Sequence, residues 1–314
     1  MDAKKLHCSI GVMAYNEEKN IGRLLDSLIA QELSDVVIDE IIVISSGSTD
    51  KTNIIVREYS KKYRYIKLLV QIKRKGKSSA INLFIKNAKN DLLIVESADT
   101  LPAMNTVEKL ISPFKNKKVG MTGGRPIPVN KGDDFVSFSV RLLWQMHHEL
   151  AKFTPKLGEM VAFRKVFDQI PEESAVDEAS IESMIVSRGF ECLYVSDAIV
   201  SNKGPETLRD FIKQRRRIAI GHLWLKEQYN YDVASNNILL LFSLFVVECV
   251  KYPRCIIRTI LTVKLEMFCR MLGCFDYKFR GVNPFIWEVS KSTKELNTPS
   301  QATPLFRGEL GSRK

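Results

Sequence analysis

The sequence predicts an α/β protein with a mainly parallel central sheet covered by helices on both faces, and three observations predict it. Short apolar runs of strand length recur through the first hundred residues. Each is followed by a segment with apolar residues at helical spacing. The connections carry Ser, Gly, Asn and Asp, which close turns and cap helices. Strands buried on both faces read as continuous apolar runs, which is the pattern here.

The elements follow in order. Cys8-Ser9-Ile10-Gly11-Val12-Met13 reads as a buried strand. Behind Asn16-Glu17-Glu18, Ile21, Leu24, Leu25, Leu28 and Ile29 form the apolar face of a helix. Glu40 to Ile44 is a second strand, closed by Ser45-Ser46-Gly47-Ser48-Thr49-Asp50 and followed by a helix up to Lys62. A third strand (Ile66 to Gln71), a helix (Ser78 to Asn87) and a fourth strand (Asp91 to Val95) continue the alternation. From Val119 the pattern loosens through Met121-Thr122-Gly123-Gly124-Arg125-Pro126-Ile127-Pro128, a helical stretch past Trp144 and His148, and Gly158 to Arg164. Asp177 opens a short helix with Ile181, Met184 and Ile185 on its apolar face, ending at Arg188-Gly189, where glycine suits a left-handed cap. A strand near Leu193 to Val195 precedes a helix beginning near Thr207. Ligands of such sheets bind outside the carboxyl ends of the strands. Function is therefore sought in the loops holding Ala14-Tyr15-Asn16-Glu17, Asp50 and Glu96-Ser97-Ala98-Asp99.

The last third changes character. Ile238 to Val247 is almost wholly apolar but shorter than the roughly 20 residues a bilayer span needs. After Pro253, Cys255 to Phe275 mixes Ile256, Ile257, Ile260, Leu261, Leu265, Met267 and Phe268 with Arg258, Lys264 and Arg270. Two readings stand open: a basic amphipathic helix on a membrane surface, or a helical pair packed on the catalytic portion. The expected division is residues 1–230 as the α/β domain, 231–296 as a C-terminal helical, membrane-associated or packed region, and 297–314, rich in Ser, Thr and Pro, as a disordered tail.

Composition narrows the function. With 314 residues, 45% hydrophobic and 26% charged, the chain can bury a full core. The formal charge of +11 calls for an anionic partner: nucleic acid, an acidic membrane face or a phosphorylated ligand. The basic residues are not interleaved with stacking aromatics in any recognisable module, so nucleic acid is not expected. Six cysteines without a C-x-x-C pair argue against zinc or a disulfide framework. With no long apolar stretch near Met1, a cytoplasmic place is expected, either free or at the cytoplasmic face of a membrane.

Taken together, these loops resemble the family 2 glycosyltransferases with the GT-A fold, a group that includes polysaccharide synthases and polyprenyl-phosphate sugar transferases of cell-envelope glycan biosynthesis. The resemblance runs from about Ser9 to His222. Ala14-Tyr15-Asn16-Glu17 is similar to the first nucleotide-contacting loop, and Ser45 to Thr52 to the second, where the acid matching Asp50 contacts the nucleoside. By itself Asp50 reads as a helix N-cap. Arg74-Lys75-Gly76-Lys77-Ser78 resembles the stretch that opens the third helix with Lys77 near the donor phosphates; a solvated basic turn is the plainer reading. Glu96-Ser97-Ala98-Asp99 falls where the family has its Asp-x-Asp metal motif. Ser97 replaces the first acid, leaving Asp99 as the standard ligand for Mg²⁺ or Mn²⁺, and strand alternation sends Glu96 to the opposite face. Asp177-Glu178 resembles the acidic pair that supplies the catalytic base; by itself Asp177 would cap a helix. Gln214-Arg215-Arg216-Arg217-Ile218 resembles the Gln-x-x-Arg-Trp signature with Ile218 for tryptophan. Gln214 and Arg217 share one helix face toward the diphosphate, and Arg215 and Arg216 read as a solvated basic face. Gly158-Glu159, Arg164 and His147-His148 lie where an acceptor site would form, each by itself more readily structural.

The resemblance implies an inverting, metal-assisted single displacement in which Asp177, with its neighbour Glu178 as the alternative, deprotonates the acceptor hydroxyl. A nucleotide-diphosphate sugar would be the donor, and a hydroxyl of a glycan or lipid-linked molecule the acceptor. A sugar nucleotidyltransferase is disfavoured, because Ala14-Tyr15-Asn16-Glu17 lacks the Gly-rich, Arg-containing loop such enzymes need. A catalytically inactive nucleotide-sugar-binding or nucleic-acid-binding module, suggested by Ser97 and the basic charge, is the non-enzyme alternative.

Overall fold

The structure, a computed structural model, describes residues 5–286 and 295–296. The 297–314 tail expectation and part of the 231–296 region lie outside the described residues. The first half follows the predicted alternation: β1 (Leu6–Ala14), α1 (Ile21–Ile29), β2 (Val36–Ser46), α2 (Thr52–Lys62), β3 (Ile66–Gln71), α3 (Lys77–Asn87) and β4 (Leu92–Ser97). Beyond it lie β5 (Leu101–Pro102), α4 (Thr106–Ile111), β6 (Val119–Pro128), α5 (Phe135–Ala151), β7 (Val161–Arg164), α6 (Asp177–Val186), β8 (Glu191–Asn202) and α7 (Leu208–Tyr229). The chain continues as α8 (Ile238–Lys251) and α9 (Ile256–Arg280).

One eight-stranded sheet runs in the order β3-β2-β1-β4-β7-β6-β8-β5. β3, β2, β1 and β4 are parallel, as are β6 and β8, while β7 runs antiparallel between β4 and β6. This is the GT-A architecture the sequence predicts, with a reversed strand it does not. β7 is four residues long and follows a loop, too short for a periodicity to declare itself. β8 is far longer than the three residues expected, because Ser196 and Asp197 interrupt its apolar pattern.

Alternation along β2 splits its side chains between two cores. Ile41 and Val43 join Ile10, Val12, Leu24, Leu25 and Leu28 under α1. Ile42 and Ile44 join Ile81, Phe84, Leu93, Val95 and Phe163 under α3. Each fully buried Leu, Ile or Phe contributes about 1.5–3 kcal/mol. Both faces of the sheet are therefore sealed, which leaves its strand ends as the place for chemistry.

The C-terminal helices pack on the α/β portion, one of the two readings the sequence left open. α8 seats Leu244 against Phe138, Leu142, Met146 and Leu150 of α5. α9 lies along α7, where Gly273 lets the helix axes approach: a Cβ there would meet Ala219 Cβ and Arg216 O at 2.9 Å. Arg215 is held in a bidentate ion pair by Glu266 at 2.7 Å, and Arg216 pairs with Asp276. The expectation that Arg215 and Arg216 form a solvated basic face is thus corrected: they fasten α9 to α7. The outer sides of α8 and α9 nevertheless expose large apolar residues, among them Leu239, Phe242, Val247, Val250, Ile257, Met267, Met271 and Phe279. Among the described residues no helix is long and apolar enough to cross a membrane.

After Gly281, in the left-handed conformation, the chain leaves the helix and returns to the sheet. Residues 281–286 are not helical, a departure from the helical region expected there. Asn283 Nδ2 donates to Glu173 O at 2.9 Å and the Phe285 carbonyl lies against Gly76. Leu296 N donates to Asn20 Oδ1 at 3.0 Å, and Glu295 pairs with Lys19 at 2.8 Å. C-terminal residues therefore touch the loops after both β1 and β3.

Candidate active site

The loops after β1 and β2 are tied into one body. Asn16, at a φ of +52°, accepts the Thr49 N–H on its Oδ1 at 2.8 Å and donates its own N–H to Ser48 Oγ at 3.1 Å. The Glu17 N–H donates to Thr52 Oγ1 at 2.8 Å. Asp50 accepts from the Glu18 N–H at 3.0 Å on one oxygen, and from the Thr52 N–H at 3.0 Å and hydroxyl at 2.6 Å on the other. Partial burial works against ionising this carboxyl, but these donors hold it below the usual carboxylate range. Asp50 therefore has a structural occupation, clasping the loops and starting α2, alongside the nucleoside contact the resemblance implies. Glu17 is buried and accepts from Asn20 Nδ2 at 2.8 Å, and Ala14 is buried at the end of β1. Both shape the loop from within. Arg74, just before Gly76, stacks over the Tyr15 ring at 4.2 Å from its centroid. Neither residue was singled out from the sequence, although both stand inside motifs quoted for their neighbours.

The second part of the site is a buried ammonium between two carboxylates. Lys77, the first residue of α3, lies 2.6 Å from Asp177 Oδ2 and donates to Glu178 Oε1 at 2.7 Å. α3 enforces this meeting of residues a hundred positions apart. Ser78 Oγ donates to Ser174 O at 3.0 Å, and Asn82 exchanges hydrogen bonds with the Ile170 backbone at 2.8 and 2.9 Å, fixing the segment that starts α6. Burial alone would depress the Lys77 ammonium, but the two carboxylates raise it well above its ordinary value. The acids differ in access: the Asp177 side chain is 3% exposed and that of Glu178 21%. Arg217 donates to Ala175 O at 3.0 Å and feels Asp177, Glu178 and Glu159 as its neighbouring charges. Gln214 stands one turn earlier on α7, half-buried.

A third group of acids sits at the end of β4. Ser97 and Asp99 are half-buried. Glu96 shares its face of β4 with Leu92 and Ile94, and Ser97 shares the other with Leu93 and Val95, as strand alternation requires. Glu96 is fully buried and accepts the Thr100 hydroxyl at 2.8 Å; its other oxygen has no partner. Burial, reinforced by Glu159 and Asp99, pushes its carboxyl up to about 8. Glu159 is likewise pushed up to about 7 by burial and by Asp99 and Glu178. It sits at a φ of +61°, unusual for a side chain with a Cβ, and accepts from Asn202 Nδ2 at 2.9 Å. Sequence reading passed Glu159 over as structural, because backbone strain leaves no mark in a motif. Arg164 is structural, donating to the Val119, Phe114 and Asn116 carbonyls. His148 pairs with the Tyr194 hydroxyl at 2.8 Å.

Glu96 and Glu159 each feel the charge of Asp99. Among the described residues no three His, Cys, Asp or Glu side chains converge closely enough to hold a metal unaided. Asp99 nevertheless fits the way Mg²⁺ or Mn²⁺ is held against a diphosphate, by one or two carboxylates with water and phosphate oxygens completing the shell.

Comparison with known proteins supplies the family and the fold. The chain is 24% identical over 233 residues to the probable glycosyltransferase YdaM of Bacillus subtilis, covering 69% of this chain and 55% of that protein. It is 31% identical over 120 residues to the dolichyl-phosphate beta-glucosyltransferase ALG5A of Trichomonas vaginalis, covering 37% of each. The matches thus span about half or less of these relatives' length. Among solved structures, the mannosyltransferase PcManGT of Pyrobaculum calidifontis, in complex with GDP-Man and Mn²⁺, shares the fold with a TM-score of 0.59 at 18% identity, over 90% of this chain and 82% of that one. Residues 9–183 match the family described as glycosyl transferase family 2. That match covers more than half of the sequence and takes in both donor loops, the Asp99 turn and the Asp177-Glu178 pair, and so the chain belongs to glycosyltransferase family 2.

Proposed function

We propose that the chain transfers a sugar from a nucleotide-diphosphate sugar to a hydroxyl of a lipid-linked or glycan acceptor, with inversion at the anomeric carbon. The observation that carries this reading is the Lys77–Asp177–Glu178 centre at the strand ends of a GT-A sheet. Glu178 is the acid open to solvent and takes the part of the base, accepting the proton of the attacking hydroxyl. Asp177, sealed beneath, positions Lys77 and the start of α6. The acceptor oxygen bonds to the anomeric carbon as the bond to the diphosphate breaks. Arg217 and Gln214 face the departing nucleoside diphosphate and offset its growing charge. Asp99 would hold Mg²⁺ or Mn²⁺, which supplies Lewis-acid stabilisation of the diphosphate when bound. Tyr15, Asn16, Asp50 and Arg74 border the nucleoside, while Ala14 and Glu17 fix their loop.

A lipid-linked acceptor is supported by the outer faces of α8 and α9, where exposed apolar residues alternate with Lys251, Arg254, Arg258, Lys264 and Lys278, the pattern of a helix lying on an anionic membrane surface. That the relative in Trichomonas vaginalis is a dolichyl-phosphate glucosyltransferase agrees with it. The test is nucleotide release from uridine, guanosine and thymidine diphosphate sugars with and without divalent metal. Glu178→Gln is expected to cut turnover by about 10²–10⁴-fold while nucleotide binding survives; binding without turnover by the parent protein across all donors and plausible acceptors would favour an inactive module.

A further inference from the structure

Behind the catalytic wall, between α7 and α9, lies a cavity of about 200 Å³ lined by Arg215, Ile218, His222, Asn236, Glu266 and Arg270. Lys156, in the loop before β7, is an electrostatic neighbour of Arg215, Arg270, Glu266 and His222. Three cations thus face one ionised carboxylate. Glu266 takes Arg215 through Nε and Nη2, and Arg270 through Nε, while Arg270 Nη1 donates to Ser235 O at 3.2 Å. One terminal nitrogen of each guanidinium is left without a hydrogen bond among the described residues. Lys156 has neither a hydrogen bond nor an ion pair among them. Burial and the two arginines push its ammonium down to about 7, the mark of a cation short of counter-charge. The other acid nearby, Glu182, is occupied by the Tyr231 hydroxyl at 2.7 Å and is itself pushed up to about 7 by burial.

We infer that this chamber is an oxyanion subsite that takes the phosphate group of the acceptor. A phosphate offers what the chamber lacks: negative charge, and several acceptor oxygens for the spare Arg215 and Arg270 donors and for Lys156. A cavity of this size, holding a handful of waters at roughly 30 Å³ each, has room for one tetrahedral oxyanion. α7 separates it from the catalytic centre: Arg215, which lines the cavity, is two residues from Arg217, and Lys156, the electrostatic neighbour of its arginines, is three residues from Glu159. On the other side α9 turns Glu266 and Arg270 inward, and Met267, Phe268 and Met271 outward. A phosphate carried on a hydrocarbon chain would find its headgroup site and its apolar track on one helix. This source of the phosphate rests on the lipid-linked reading above; the oxyanion chamber itself does not.

The test is titration of the full chain, with EDTA present to silence the metal-dependent donor site, using inorganic phosphate and farnesyl phosphate below its micellar concentration. Both are expected to bind, and Lys156→Met, with Lys156→Gln as second variant, is expected to weaken both at least tenfold while leaving Tm unchanged or higher. Binding that is indifferent to the two Lys156 variants overturns the proposal, as does failure of inorganic phosphate to bind the parent protein; failure of farnesyl phosphate alone removes the lipid source and leaves the chamber. A tenfold preference for farnesyl phosphate identifies a lipid source, and equal affinity a free phosphate, both with the chamber upheld. Donor turnover, measured separately, distinguishes the readings: phosphate binding that depends on Lys156 in a protein without turnover removes only the proposed function, whereas turnover without such binding removes only the chamber.

Discussion

Replacing Asp177 by Asn and Glu178 by Gln should separate stability from chemistry at adjacent positions. Asp177 is 3% exposed and 2.6 Å from a Lys77 ammonium that is itself 15% exposed. Neutralising one partner of a buried pair costs about 3–5 kcal/mol when the remaining charge is stranded. Here Glu178 still holds Lys77 at 2.7 Å, so the loss falls nearer that of one charged hydrogen bond, about 2–3 kcal/mol. At roughly 2–4 °C per kcal/mol for a chain of this order of size, Asp177→Asn should lower Tm by about 4–12 °C. Glu178, more open to solvent, should cost less than about 1 kcal/mol as Gln, yet reduce turnover about 10²–10⁴-fold as the lost base. Calorimetry and nucleotide release on both variants decide it. If Asp177→Asn kept its Tm and lost all turnover while Glu178→Gln stayed active, the buried acid would be the base and the assignment from access would be wrong.

Other expectations follow from the same geometry. Glu266→Ala removes the counter-charge of both Arg215 and Arg270 and should destabilise by about 3–5 kcal/mol, with α9 becoming sensitive to limited proteolysis; unchanged protection would mean apolar packing alone holds the helix. Glu96 and Glu159 have folded values, about 8 and about 7, raised above their unfolded ones. Their contribution is fully present below the unfolded carboxylate range and is lost as pH rises through 7 to 8, so metal-free stability should fall between pH 5 and 8; Glu96→Gln should flatten that slope in urea titrations, and an equal slope in the variant would refute the assignment. Gly47, at a φ of +73° with the Arg74 amide nitrogen 2.6 Å from where a Cβ would stand, should not tolerate alanine. About 1–2 kcal/mol of left-handed strain plus displacement of Arg74 should weaken nucleotide binding along with Tm, and a variant with wild-type nucleotide affinity would show that the Arg74 stack lies outside the donor site. Phe279→Glu combined with Ile257→Glu, on exposed faces, should abolish flotation with phosphatidylglycerol vesicles at constant Tm, whereas flotation that persists would remove the membrane surface from this face.

What was legible in the sequence depended on how local the signal was. β3 matched residue for residue because both of its ends are marked by turns, and α1 followed from five apolar residues at helical spacing, of which Ile21, Leu24, Leu25 and Leu28 are buried and Ile29 half-buried. The acids at Asp50, Asp99 and Asp177 were visible because each closes a strand or opens a helix within a short motif. Their employment was not, since it depends on distant partners: the Thr52 hydroxyl and Glu18 amide for Asp50, and Lys77 across a hundred residues for Asp177. Glu159 was placed near an acceptor site yet read as structural, because the left-handed backbone that holds it and the Asp99 and Glu178 charges it feels come from outside its own motif. Arg215 and Arg216 were misjudged for a related reason: a run of arginines looks solvated until the helix carrying Glu266 and Asp276 is laid beside it.

That stretch of α7 answers to two masters. In the proposed function Gln214 and Arg217 serve the donor, while the two arginines between them are gripped by α9. A chimaera that imported the C-terminal helices of a relative and kept this α7 would strand two guanidiniums against foreign side chains. One that imported α7 alone would carry the reverse mismatch. The unit that can be exchanged to alter acceptor preference therefore begins at Thr207, the cap of α7, rather than at the chain reversal after Tyr229, and a recombination library cut at Thr207 should yield more folded members than one cut at Asn230.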